Sequence, residues 1–174
     1  FGIKGFVLSM IETAIEVTEA KVHASVIAEL IAAGQDMLQH PIDLLPHASE
    51  AVASCAESHR VLLVTKGDLL DQERKLAQSG LGDLFDGVEI VSDKNQSVYE
   101  EIFERHGDGA ARSMMVGNSM KSDVRPVVDA GGWGVFIPHG ESWALEHAEP
   151  PENAPRYHAL TSLLELSGLV AQID

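Results

Sequence analysis

Val61-Leu62-Leu63-Val64-Thr65-Lys66-Gly67-Asp68 is the stretch that decides the fold. Its first four residues form a short, unbroken apolar run, the mark of a strand buried on both faces rather than one. Such a strand belongs in a sheet with helices on both sides. Downstream, Leu69 to Ser79 carries a helical pattern that closes at Gly80. Upstream, Ala48 to Ser58 reads as another helix.

The same grammar repeats along the chain. Val88 to Val91 is a second strand, Val98 to His106 a helix, and Met114 to Val116 a third strand. Asp123 to Ala130 is a helix that ends at Gly131-Gly132, and Val135 to Ile137 is a fourth strand stopped by Pro138. Leu160 to Leu166 is a last short helix. Alternation of strand and helix predicts an α/β fold with a parallel sheet and right-handed crossovers. Before this region, residues 6 to 39 read as helix in two apolar stripes, with Gly34 as a break, and Pro41 and Pro46 bracket a connector. The predicted division is a helical portion over 1–45 and a parallel α/β core over 46–174.

Composition narrows the function. The 174 residues hold 12 Lys+Arg and 27 Asp+Glu, a formal net charge of −15. A chain so acidic has no basic footprint for nucleic acid or an anionic membrane surface, though a few local cations can still hold a small anion. Around Trp133, Trp143 and Tyr157 no nucleic-acid pattern is visible. Cys55 is the single cysteine, so an internal disulfide is impossible and the cytoplasm is the expected compartment. On its predicted helix, Cys55 reads as a small apolar filler. No apolar run is long enough to cross a bilayer as a helix.

Ligands of parallel α/β sheets sit beyond the carboxyl ends of the strands. The first strand ends in Thr65-Lys66-Gly67, where a hydroxyl beside a glycine either binds an anion or simply turns the chain into a helix capped by Asp68. The second ends at Lys94, an electrostatic stabiliser of transferring charge or a solvated loop lysine. The third ends in Gly117-Asn118-Ser119, with Asp123 following. Asn118 and Asp123 are hard oxygen ligands suited to Mg²⁺, or else parts of a capped helix start. The fourth ends in Pro138-His139-Gly140, where His139 reads as a loop residue.

Taken in order, Leu62-Leu63-Val64-Thr65-Lys66-Gly67-Asp68, Ser79-Gly80-Leu81 to Phe85-Asp86 with Lys94 beyond, and Met115-Val116-Gly117-Asn118-Ser119 through Asp123 resemble the haloacid dehalogenase-like (HAD) superfamily of hydrolases over roughly residues 46 to 170. The resemblance implies a Rossmann-like three-layer sandwich with a partial helical cap, and Mg²⁺-dependent chemistry through a covalent aspartyl intermediate. It implies catalytic roles for Thr65 and Lys94, substrate contacts from Thr65, Lys66, Gly67 and Ser119, and metal contacts from Asn118 and Asp123. Asn118 departs from the commoner aspartate, which implies a weaker metal site. The helices before Pro41 resemble part of the cap that closes over substrate.

The family's first motif, Asp-x-Asp at a strand end, has no counterpart in the chain. The expectation is that the nucleophile lies outside these residues, that the chain is the larger, C-terminal piece of its parent, and that it is inactive alone. The absent strand belongs between those ending at Thr65 and Asn118. Its place is then filled by a preceding segment, by a strand borrowed from another chain in a homo-oligomer, or by direct pairing of its neighbours. The expected activity of the parent is that of a phosphatase acting on a small phosphorylated metabolite. The alternatives are a 2-haloacid dehalogenase and a non-catalytic binding domain. Thr65, Lys94, Asn118 and Asp123 are expected to converge at one edge of the sheet.

Overall fold

The computed structural model describes residues 2–140 and 147–173, so Trp143 lies outside the described residues. The chain begins with a helical hairpin, α1 (Ile3–Val17) and α2 (Ala24–Gln39). The helical stretch expected over 6–39, with its two apolar stripes, is thus two helices. The break falls at residues 18–23, where Glu19 and Ala20 take positive φ of 51° and 61° and the His23 side chain accepts from the Ser25 N–H at the start of α2. Gly34 is not a break. It lies inside α2 and is buried where the two helices meet, so that a Cβ there would collide with the Val7 side chain.

The core alternates as expected: α3 (Ala48–Ala56), β1 (Leu62–Lys66), α4 (Leu69–Ser79), β2 (Gly87–Val91), α5 (Gln96–His106), β3 (Met114–Gly117), α6 (Arg125–Asp129) and β4 (Trp133–Phe136). The bounds of α4 follow from its caps. Asp68 accepts from the Asp71 N–H at the start, and Gly80 adopts φ +71° at the end. Three features depart from the expectation. A short strand β5 (Tyr157–Ala159) pairs with β4, and the last helix is α7 (Leu166–Ile173), preceded by a 3₁₀ turn over Leu163–Glu165. A π-helical turn over Met120–Val124 precedes α6 where one continuous helix was expected.

All pairings are parallel, but the strands fall into two groups. β1 pairs with β2, and β3, β4 and β5 form a second sheet in that order. Among the described residues no pairing joins β1 to β3, so the direct rearranged pairing does not occur. One apolar core spans both sheets. Tyr99, Ile102 and Phe103 of α5 and Val127 of α6 pack on Leu62 and Val64 of β1, Val91 of β2 and Met115 of β3. On the opposite face, Leu169 of α7 packs with Val135 and Ile137, together with Met114 and Val116 of β3. Met115 thus faces one layer and its neighbours the other, as the two-residue repeat of a strand requires. The result is helix, sheet, helix, with a seam between β1 and β3. No described helix is long and apolar enough to cross a membrane.

Candidate active site

The strands are parallel, so their carboxyl ends gather on one edge, and the loops beyond β1, β2 and β3 meet there. Lys94, in the loop after β2, places Nζ 2.7 Å from Oδ1 of Asp123, in the π-helical turn after β3. Both side chains are almost wholly buried, at 10% and 7% exposure. An ion pair this dry has lost the water that would otherwise screen it, so separating the partners strands a charge. The other oxygen, Oδ2, accepts the Ser119 backbone N–H at 3.0 Å. The carboxylate lies directly against Gly117, where an added Cβ would meet Asp123 Cβ at 2.6 Å. Gly117 therefore has a packing reason that its place in the motif did not disclose.

Ser122 ties the same cluster from below. Its Oγ accepts from Lys66 Nζ at 2.9 Å, its carbonyl accepts from the buried Tyr99 hydroxyl at 3.0 Å, and its N–H donates to Ser119 Oγ at 3.0 Å. Burial, and secondarily the Asp123 charge, push the Tyr99 phenol well above its ordinary pKa, so it stays a donor. Lys66 thus reaches across the seam from β1 to the turn after β3, beside the Lys94–Asp123 pair.

The structure brings Lys66, Lys94, Ser119 and Asp123 together through these contacts. Thr65 and Gly67 stand on the same strand end but face another partner: Thr65 Oγ1 donates to Gln72 Oε1 of α4 at 2.9 Å, and Gln72 Nε2 sits against Gly67. Asn118 is exposed at the mouth of the turn. The Ser119 hydroxyl caps the π-helical turn. Tyr99 and Gln72 carry no reading in the sequence, and Ser122 reads there only as an alternative cap, a place the structure gives to Ser119. A tyrosine and a glutamine inside helices carry no signal until the fold juxtaposes them with the strand ends.

The fit to Mg²⁺ is incomplete. Asp123 accepts from an ammonium on Oδ1 and from an amide on Oδ2, two of the roughly four lone-pair sites of a carboxylate, and Asn118 stands exposed at the same edge. Among the described residues no group of three or more His, Cys, Asp or Glu side chains is placed to hold a metal ion. Beside Lys94 opens a cleft of about 610 Å³, lined among others by Asn95, Ser122, Arg125, Asp129 and His147. Its walls mix both signs of charge. Cys55 lies on α3, away from these residues, and burial pushes its thiol pKa up, which fits an inert filler.

No family model matches the chain, and no curated protein matches it. Solved structures do. A haloacid dehalogenase-like family hydrolase from Xanthomonas campestris is 40% identical, with a TM-score of 0.88, over 100% of this chain and 70% of that one. A HAD phosphatase from Thermococcus onnurineus is 18% identical, with a TM-score of 0.62, over 95% of this chain and 78% of that one. A 2-haloacid dehalogenase from Pseudomonas syringae pv. Tomato is 16% identical, with a TM-score of 0.63, over 90% of this chain and 67% of that one. The last two share the fold.

Proposed function

The chain belongs to the haloacid dehalogenase-like family of hydrolases, and on that premise we propose that its protein is a Mg²⁺-dependent phosphatase of small phosphorylated metabolites. The observation that carries this reading is the buried Lys94–Asp123 pair at the carboxyl edge of the sheet. A fixed ammonium in a dry site stabilises negative charge that gathers on a transferring phosphoryl group. Asp123 holds that ammonium in place, and Ser122 holds a second one, Lys66, next to it.

The attacking group in this proposal is an aspartate carried on a strand in the seam between β1 and β3, since the chain contains no Asp-x-Asp of its own. Its carboxylate oxygen bonds to phosphorus as the bond to the ester oxygen breaks, and the departing oxygen takes a proton. Water then cleaves the acyl phosphate and releases inorganic phosphate. Thr65 holds a phosphoryl oxygen, and the α1–α2 hairpin is part of the cover that keeps bulk water out. Asn118 would be among the residues that hold Mg²⁺, which would supply neutralisation of phosphoryl charge.

The alternative is a 2-haloacid dehalogenase, a protein whose fold this chain shares; displacement of halide at carbon needs no metal. Assays on the intact protein separate the two. Phosphate release from p-nitrophenyl phosphate that requires Mg²⁺, with no halide release from 2-chloropropionate, supports the proposal. Metal-independent halide release overturns it in favour of the dehalogenase, and turnover of neither supports a binding domain.

A further inference from the structure

Thr65 and Lys66 adjoin in sequence and part in space, because successive strand residues face opposite sides. Lys66 turns toward Ser122, and Thr65 turns toward α4, where its hydroxyl donates to Gln72 Oε1 at 2.9 Å. A threonine hydroxyl has a single proton. With that proton committed to Gln72, Thr65 has no donor left for an anion beyond the strand end. The Gln72 amide is itself seated. Its Nε2 lies in a slot that Gly67 leaves open, where any Cβ would come within 2.9 Å, and Gly67 holds φ at +144°. The two ends of a primary amide are nearly the same size, and its last torsion is a broad, roughly two-fold rotor. A half-turn of the amide therefore keeps the packing and reverses the hydrogen bond. Nε2 then donates to Thr65 Oγ1, and the threonine proton becomes available.

We infer that Gln72 is a positioning residue that sets whether Thr65 can donate to a bound phosphoryl oxygen. The inference rests on the phosphatase reading above and adds to it a residue outside the loops at the strand ends. In the anion-bound protein the amide presents Nε2 to Thr65, the reverse of the Oε1 contact seen in the structure.

Calorimetric titration of the intact protein with inorganic phosphate tests this. Gln72→Glu provides only acceptors, so it keeps the Thr65 proton; phosphate affinity falls about tenfold, the order expected for losing one hydrogen bond to a charged group. On a Thr65→Val background the same change costs less than about twofold, because the proton it acts through is gone. A penalty equal in both backgrounds means that the glutamate charge merely repels the anion, and overturns the inference. Unchanged affinity in Gln72→Glu overturns it too. Gln72→Met, which removes the acceptor, binds phosphate within about twofold of the parent in the same cycle; a loss as large as that in Gln72→Glu overturns the inference even if the glutamate variant does not fold. In p-nitrophenyl phosphate turnover, Gln72→Glu raises KM more than it lowers kcat. Wild-type protein that binds no phosphate and turns over no ester overturns the phosphatase reading and this inference with it, whereas wild-type binding with an unaltered variant overturns the inference alone.

Discussion

Lys94 and Asp123 stand 29 residues apart in the chain and 2.7 Å apart in space, and their bond joins the half of the molecule built on β1 and β2 to the half built on β3, β4 and β5. Electrostatics at this pair therefore matters to folding, and in the proposed phosphatase to chemistry as well. Asp123→Ala leaves a buried ammonium without its counter-ion and is expected to destabilise by about 3–5 kcal/mol. Equilibrium denaturation measures that, and phosphate release from the intact protein is expected to fall to background in the same variant. Near wild-type stability together with unchanged turnover would remove Asp123 from both roles.

Gly117→Ala tests the packing behind that pair. The new methyl group meets the Asp123 side chain, so either the turn shifts or the carboxylate leaves Lys94. A cost of roughly 1–3 kcal/mol is expected for such overpacking. The diagnostic readout is coupling: in an Asp123→Gly background the alanine finds space, and its cost shrinks.

Asn118→Asp adds a charge at the exposed mouth of the turn. Hard cations bind more tightly as ligand charge rises. The Mg²⁺ concentration for half-maximal turnover is expected to fall, because the carboxylate carries a full negative charge where the amide has none. No change in that concentration would place the metal elsewhere.

Much of this arrangement was legible in the sequence, and the rest had physical reasons to stay hidden. Residues 69–79 were read to their true ends because Asp68 and Gly80 mark both caps. The apolar run ending at Thr65 gave a strand, but its alternating faces were masked by burial on both sides, so the divergence of Thr65 and Lys66 did not show. The turn at residues 18–23 holds neither Gly nor Pro, so nothing local marks where the two apolar stripes part. β5 is three residues long, too short for a periodic signal. Convergence of Lys94 with Asp123 follows from their places after separate strands, whereas the direct bond between the two needs distances.

Glu89 provides a pH test away from the site. On the edge strand β2 it accepts from His106 at 2.5 Å and from Arg105 at 2.8 Å. The hydrogen bond from His106 comes first in holding its carboxyl below the ordinary range, against a smaller opposing effect of burial, with Arg105 adding to the lowering. A carboxyl whose folded pKa is depressed stabilises the fold above its unfolded pKa and loses that contribution as pH falls through the folded value. The stability gap between wild type and Glu89→Gln is thus expected to be full near neutrality and to close as pH falls below about 4. A gap that stays constant down to about pH 2.5 would show that the carboxylate is not coupled to folding.

The seam itself predicts exchange behaviour. Strands β1 and β3 each have one unpaired side among the described residues, and open edges leave amides accessible. In the 174-residue chain alone, hydrogen exchange is expected to be faster at residues 62–66 and 114–117 than at 134–136, which are paired on both sides. The chain alone is also expected to release no phosphate. Equal protection of all three strands would mean that the seam is closed in solution.

The π-helical turn at Met120–Val124 closes through Ser119, whose carbonyl accepts from the Val124 N–H five residues on. Such a turn accommodates one residue more than the ordinary coil around it. Since each helical residue sweeps about 100° around the axis, the surplus residue acts as an angular spacer. Shortening the turn by deleting Lys121 would give a smoother, more regular helix. It would also swing everything before the deletion relative to everything after it, so that Asp123 no longer pointed back at Gly117 and Lys94. The irregularity is what aims the carboxylate, and a sequence optimised for helical regularity at this point would disarm the edge while improving its secondary structure.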